Sequence, residues 1–370
     1  MRGNLIGKVT FDDSKKPYYT EGTSKNGNDW CKIVVRLTDA NNNKTKAELL
    51  GTKQKSLYLM DKDNQKLTVK WEDRNDKEII ESVAVYKKHH FNYIDNEDKF
   101  ILADYDAVKY IADHADEING DTIGISVDVE KNIYKGKVYD RFNIQNIYAV
   151  DSSSESKFVV SMDFFFNKDS IDLSDWKTEK KITFDGYIQS YVAEKKKTMY
   201  IPQRVVLDAS KADMSNDEHR KRLALKLFMM GCKADGDNIK CIVKSNTMYK
   251  IGLICKYISS AKEVDVDEDD LTDVRKMFIE AGLKSVQNFA DKKAFGEMVV
   301  EYDIINFQIE REDYANGYLN LDIKPDEFEE NIYKPVENES EDDLPFADAM
   351  NPPTEEDIEE SNREIDKLFS

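Results

Sequence analysis

Cations interleaved with flat rings are the residues of this sequence whose chemistry is easiest to name. Lys15, Lys16, Tyr18, Tyr19, Lys25 and Trp30 crowd one stretch, and Tyr134, Lys135, Lys137, Tyr139, Arg141 and Phe142 a second; Tyr191, Lys195, Lys196, Lys197, Tyr200 and Arg204 crowd a third. Ammonium and guanidinium groups pair with phosphates, and rings accept unpaired bases by stacking, at roughly 1–3 kcal/mol per base. Together they describe a surface for a single polynucleotide strand held without reading its sequence. Each residue also has a plainer use, because strand tyrosines pack half-buried and hairpin-tip lysines discourage edge pairing.

Other constellations fail on spacing. His89 and His90 have no Cys or carboxylate at ligand distance and read as a polar strand edge. Asp265, Asp267 and Asp269 alternate as in a calcium loop, but such a loop requires Gly at 270 and Glu at 276, where the chain has Asp270 and Lys276. Carboxylates capping a helix explain that run better. Cys31, Cys232, Cys241 and Cys255 show neither CxxC spacing nor a histidine at finger distance, so a reducing cytosol is expected rather than disulfides or zinc. Phosphate-binding glycine loops, nucleophile elbows and HExxH are absent, and no catalytic residue, metal or cofactor is expected. The opening MRGNLIGKVTF has no long apolar region, and no segment approaches the ~20 apolar residues of a membrane helix, which fits a cytoplasmic protein.

The elements that must position these residues are mostly strands. Leu5 to Phe11, Trp30 to Leu37 and Ala47 to Leu50 are apolar runs of strand length bounded by Asp, Asn, Gly or Lys. Over 103–118 the period lengthens, placing Val108, Ile111, Ala115 and Ile118 on one helical face, with Asp104 as cap and Asn119-Gly120 as stop. Strand patterns return in ISVDVEKNIY and KVYDRFNIQNIYAV around a turn at Lys135-Gly136, and 53–100 reads as an inserted pair of hairpins.

After residues 151–154 the pattern begins again. Leu5-Ile6-Gly7-Lys8-Val9 matches Phe184-Asp185-Gly186-Tyr187-Ile188 as a glycine-interrupted opening strand, IVVRLTDA (33–40) matches QRVVLDAS (203–210), and YDRFNIQ (139–145) matches YDIINFQ (302–308). Helices follow from the capping box Ser215 to Glu218 with Gly231 as stop, and from Asp269 or Asp270 with Gly282 beyond. Strands, a helix and a closing hairpin, repeated once, predict a mainly β protein with some α: two oligonucleotide-binding-like β-barrel modules in tandem. The expected division is a first module over 1–151 with its insertion at 53–100, a linker and strand extension over 152–180, a second module with helices over 181–312, and a flexible acidic tail over 313–370.

The net charge of −19 argues at first against a phosphate partner. Its distribution reverses that: from Pro325 onward there are 17 acidic residues against Lys334, Arg363 and Lys367, so the rest of the chain carries only −5. Such a tail cannot bury enough surface to offset the entropy of ordering. Within it, Glu341-Asp342-Asp343-Leu344-Pro345-Phe346 ends an acidic run in an apolar knob. This motif resembles the acidic tail of bacterial and bacteriophage single-stranded-DNA-binding proteins, which recruits replication and repair enzymes.

The resemblance implies that Asp342, Asp343, Leu344, Pro345 and Phe346 dock partner proteins and that the barrels hold single-stranded DNA in replication, recombination or repair, in a bacterial host cytoplasm if the chain is phage-encoded. One departure is that 24 residues follow Phe346, whereas in the family the Pro-Phe pair usually ends the chain. Two rival readings are a phage structural or protein-interaction module without DNA binding, and a metal-dependent nuclease using Asp267 and Asp269.

Overall fold

The computed structural model describes residues 1–11, 17–94, 97–134, 137–151, 153–192, 195–244, 247–261, 298–308, 319–320 and 325–333. The helix expected after Asp269, the acidic run at 264–270 and the Asp342–Phe346 motif lie outside them. In the first half, β1 (Arg2–Thr10), β2 (Tyr19–Thr23), β3 (Asp29–Thr38) and β4 (Lys44–Thr52) lead into an insertion. It comprises β5 (Ser56–Met60), β6 (Lys66–Lys70), α1 (Lys77–Ser82), β7 (His89–Phe91) and β8 (Lys99–Ile101). Then come α2 (Asp104–Asp113), α3 (Ala115–Ile118), β9 (Thr122–Tyr134) and β10 (Lys137–Tyr148).

The second half runs through β11 (Phe158–Phe166), β12 (Ile171–Asp172), α4 (Trp176–Glu179), β13 (Lys181–Val192), β14 (Lys197–Asp208) and α5 (Asp217–Met229). It continues with β15 (Cys232–Asp235), β16 (Asn238–Cys241), β17 (Tyr249–Ala261), β18 (Met298–Gln308), β19 (Leu319–Asn320) and α6 (Pro325–Glu330).

Pairing closes two five-stranded rings. In the first, β1 joins β3, β3 joins β4, β4 meets β10 in parallel, β10 joins β9, and β9 returns to β1. In the second, β11, β13, β14, β18 and β17 follow the same order, again with a parallel contact between third and fifth strands. A helix separates third from fourth strand in both rings, α2 and α5, so each is a Greek-key barrel of the oligonucleotide-binding kind. The mainly β, two-barrel expectation therefore holds.

Period-two alternation builds the core. Ile33, Val35 and Leu37 of β3 and Ala47 and Leu49 of β4 fill the first ring; Phe164, Phe166, Ile182, Phe184, Ile201 and Val205 fill the second, within one continuous apolar cluster. Helix α5 is capped by Asn216 rather than Ser215, its side chain accepting from the amides of Glu218 (2.9 Å) and His219 (3.3 Å). Gly231 follows with φ of 71°. Asp104 does not cap α2; its carboxylate meets His89 Nε2 at 2.8 Å.

The register is the same around both rings. Thr38↔Lys44, Glu48↔Asn143, Ile144↔Val127, Val127↔Gly3 and Lys8↔Thr38 in the first correspond to Tyr187↔Pro202, Val206↔Asp303, Ile304↔Cys255, Cys255↔Val160 and Phe165↔Tyr187 in the second. This corrects the sequence matches. The second ring opens with β11, inside the stretch expected to be linker, so Phe184–Ile188 belongs to a second strand and Gln203–Asp208 to a third. YDRFNIQ and YDIINFQ do lie in equivalent fifth strands, but Asn143 corresponds to Asp303, a slip of three residues from the textual match.

The glycine match has a physical origin. A Cβ on Gly7 would come within 2.8 Å of Thr38 O, and one on Gly186 would collide with Phe165 O. Both glycines sit where the first and second strands of a ring cross closely, but Gly7 belongs to the first strand and Gly186 to the second.

The rings meet through their first strands. β1 and β11 pair antiparallel with Gly3 opposite Val160, the same position in the two rings, so a local two-fold passes through that pair. Beside it lies a buried polar cluster. Lys131 Nζ donates to Asp140 Oδ1 and to Gln203 Oε1, both at 2.5 Å, and the Tyr302 hydroxyl donates to Asp140 Oδ2 at 2.7 Å. Phe142 and Tyr302 pack edge-on against Tyr257, with centroids 5.1 and 5.4 Å away. Removing the hydroxyl with Tyr302→Phe should cost about 1–3 kcal/mol of stability. Lys131→Met, which strips the buried carboxylate of its cation, should cost about 3–5 kcal/mol. Urea denaturation measures both, and unaltered midpoints would show that the cluster does not hold the rings.

Candidate nucleic-acid interface

The outer face of the first ring carries a row of cations. Since Ile33, Val35 and Leu37 point inward, their neighbours Lys32, Val34, Arg36 and Thr38 point out, and across β4 they oppose Leu50, Glu48, Lys46 and Lys44. β10 adds Arg141 and Asn143 beside Glu48. These outward positions hold five cations, Lys32, Arg36, Lys44, Lys46 and Arg141, against one carboxylate.

Glu48 is held by Lys32 Nζ at 3.0 Å and Arg141 Nε at 2.6 Å. Burial pushes its carboxyl up, but the fields of Lys32, Arg141 and Lys46 outweigh burial and bring it down to about 2. Arg36 and Lys46 stand directly opposite each other across β3 and β4, and the field of Lys46 reaches Glu48. The equivalent pair in the second ring is Asp185 and Arg204, a fork of 2.7 and 3.0 Å that neutralises itself.

The residues singled out from sequence scatter over several environments. Lys15, Lys16 and Lys135 lie outside the described residues; Tyr134 and Lys137 face each other across the β9–β10 hairpin, their side chains likewise outside that description. Lys25 is exposed. Tyr18 is half-buried against Phe11, with centroids 4.9 Å apart. Tyr19 donates to Glu21 at 2.5 Å and accepts from Lys109 at 3.1 Å, and burial plus the Glu21 contact pushes its phenol up to about 12. Trp30 is a correction: it is 8% exposed, with its indole nitrogen buried and without a hydrogen-bond partner among the described residues. Phe142 is also core, Tyr139 is half-buried, and Arg141 serves Glu48.

The third cluster sits between the second and third strands of its ring. Lys195, Lys196 and Lys197 are exposed at its tip beside Tyr191, which is 61% exposed. Tyr200 is buried and Arg204 is tied to Asp185. Lys32, Arg36, Lys44 and Lys46 of the first-ring row were missed because they are spread over two strands. The available signal was alternation, with Lys32 and Arg36 in KIVVRLT and Lys44 and Lys46 in KTKAELL standing between inward apolar positions. His89 meets Gln145 O and Asp104, and His90 meets Asp98, so both rings have protein partners.

Fold and face together define a tandem-barrel architecture with one cation-rich strand face. No protein-family model matches the chain, and no curated protein matches it. Among solved structures, a deletion mutant of the single-stranded DNA binding protein from Thermus aquaticus is similar over 70% of this chain and 86% of that one, with TM-score 0.26 and 8% identity. The wild-type protein from the same organism gives TM-score 0.24 and 7% identity over 70% and 85%. Likeness at that level equates no residue of one chain with a residue of the other. No helix among the described residues is long and apolar enough to cross a membrane.

Because Glu48 titrates lower folded than unfolded, its ionised form contributes stability that is present above the ordinary carboxyl value of 4.5 and lost as pH falls toward about 2. Glu48→Gln should remove on the order of 3 kcal/mol at neutral pH and flatten the acid limb between those values. Thermal melts from pH 2 to 7 read this, and an acid limb as steep in the variant as in the parent would contradict it.

Proposed function

We propose that the chain is a single-stranded-DNA-binding protein that coats the strand during replication or recombination in the cytoplasm, that of the bacterial host if it is phage-encoded. The observation that carries this reading is the row Lys32, Arg36, Lys44, Lys46 and Arg141 across the second, third and fifth strands of a barrel. Exteriors of such barrels bind oligonucleotides on the face of strands two and three. The modules are the two rings, with the second beginning at Phe158. Phosphates lie along the first-ring row, and the Tyr191 and Lys195–Lys197 tip supplies a ring and further cations on the second. The acidic tail recruits replication or recombination enzymes through Asp342, Asp343, Leu344, Pro345 and Phe346. No catalytic step is assigned to the chain.

In a fluorescence titration the protein should bind oligo-dT tightly and duplex of equal length weakly, with affinity falling as salt rises. Reversing two row charges with Arg36→Glu and Lys46→Glu should lower dT affinity about tenfold or more near 0.1 M salt. It should also reduce the log–log salt slope by about 1.4, at roughly 0.7 per lost single-strand phosphate contact. An unaltered slope would remove the row from the contact surface.

Truncation before Glu337 should leave or raise dT affinity while abolishing pull-down of partner enzymes. Loss of DNA binding by that truncation would contradict the docking role of the tail.

A further inference from the structure

The second ring presents a different outer face. Phe165 of β11, Tyr187 of β13 and Tyr200 of β14 all occupy outward positions. Phe165 lies directly opposite Tyr187, which lies opposite Pro202, two residues from Tyr200. The three rings thus form one row across the first three strands. Outward residues on a barrel ordinarily meet water, yet Phe165 is 2% and Tyr200 7% exposed.

Their cover is the chain's own segment 325–333. Phe328 of α6 lies 4.3 Å from the Tyr200 ring, centroid to centroid, tilted by 40°, and stands edge-on to Tyr187 at 5.1 Å. The following residues add themselves to the free edge of β14: Tyr200 N donates to Asn331 O at 2.9 Å, and Tyr333 N donates to Tyr200 O at 2.8 Å. Lys197 Nζ reaches Asn331 Oδ1 at 3.1 Å.

We propose that the Phe165–Tyr187–Tyr200 nest is a second nucleobase-stacking site, and that Phe328 occupies it as an internal stand-in for a base until single-stranded DNA displaces it. The inference rests on the single-strand-binding reading above. Three features carry it. The nest lies on the face by which such barrels take oligonucleotides. Its occupant is a flat ring held among aromatic side chains, tilted on Tyr200 and edge-on to Tyr187, in a nest of the ring type on which bases stack. The helix bearing that ring reads Pro-Asp-Glu-Phe-Glu-Glu, so carboxylates flank Phe328 in sequence as phosphates flank a base in a strand. Cations for real phosphates lie close by: Lys197 of β14, which now reaches Asn331 of the segment, and Lys195 and Lys196, exposed at the adjoining tip. A site closed in this way binds with an affinity reduced by the fraction of time it stands open.

The test uses the full chain and oligo-dT in two measurements. Hydrogen exchange on the unaltered protein should show the Tyr200 and Tyr333 amides losing protection at saturating oligo-dT. Phe328→Ala should raise affinity for long oligo-dT about three- to tenfold and lengthen the stretch of DNA covered per molecule. Undiminished protection of those two amides in the saturated complex overturns the inference whatever the variant does. Failure of both proteins to bind oligo-dT would sink the single-strand-binding reading itself, whereas binding with neither change sinks this site alone.

Discussion

The antiparallel pairing of β1 with β11 is the constraint from which the rest of the molecule follows. β1 gives one edge to β9 along most of its length and divides the other, residues 2–5 to β11 and residues 8–10 to β3. A strand that changes partners in mid-course must pass close to the second partner's backbone, and Gly7 makes that passage possible. Because Gly3 and Val160 are the same position in their rings, this one pairing imposes the two-fold relation and brings Lys131 and Asp140 against Gln203 and Tyr302. An ion pair so buried contributes less to net stability than to uniqueness. Its desolvation cost roughly cancels its attraction, while any slipped arrangement leaves a charge buried without its partner.

That local symmetry makes the divergence of the two exteriors legible. At one position the first ring sets Arg36 opposite Lys46, where the second sets Asp185 opposite Arg204. At another, Lys8 and Thr38 correspond to Phe165 and Tyr187. The interiors need only apolar residues of suitable volume, so both rings kept period-two filling. The outer faces carry no such demand and drifted apart, one toward charge and the other toward rings.

The sequence disclosed what depends on local periodicity. The strand and helix alternation, Gly231 as a helix stop and the equivalence of the two closing strands were all readable from it. What failed depended on contacts distant along the chain. The start of the second ring at β11, within the stretch expected as linker and strand extension, is hidden in the sequence because Phe164-Phe165-Phe166 breaks the apolar–polar alternation, and it does so because Phe328, more than 160 residues away, covers the outward Phe165. The glycine match misled for a related reason. Both rings need a glycine at the first crossing, but either crossing strand can supply it. Among site residues, clustered lysines were conspicuous and alternating ones were not. Trp30 looked available for stacking because nothing in its neighbourhood of sequence announces that it is buried.

A chain of charge −19 that holds a polyanion must keep its cations within contact distance of the phosphates and its carboxylates beyond the reach of screening. At physiological salt that reach is about 8 Å, so charges farther from the bound strand contribute little to its energy. The sign of the first ring's outer face is therefore governed by the cations on β3, β4 and β10 and not by the overall balance, and Glu48 shows how local that effect is. A carboxylate in the middle of the row is tolerated because Lys32 and Arg141 hold it at 3.0 and 2.6 Å. Of the stretch from Pro325 onward, the described residues 325–333 meet the second barrel at the aromatic nest around Tyr200, away from the row of the first.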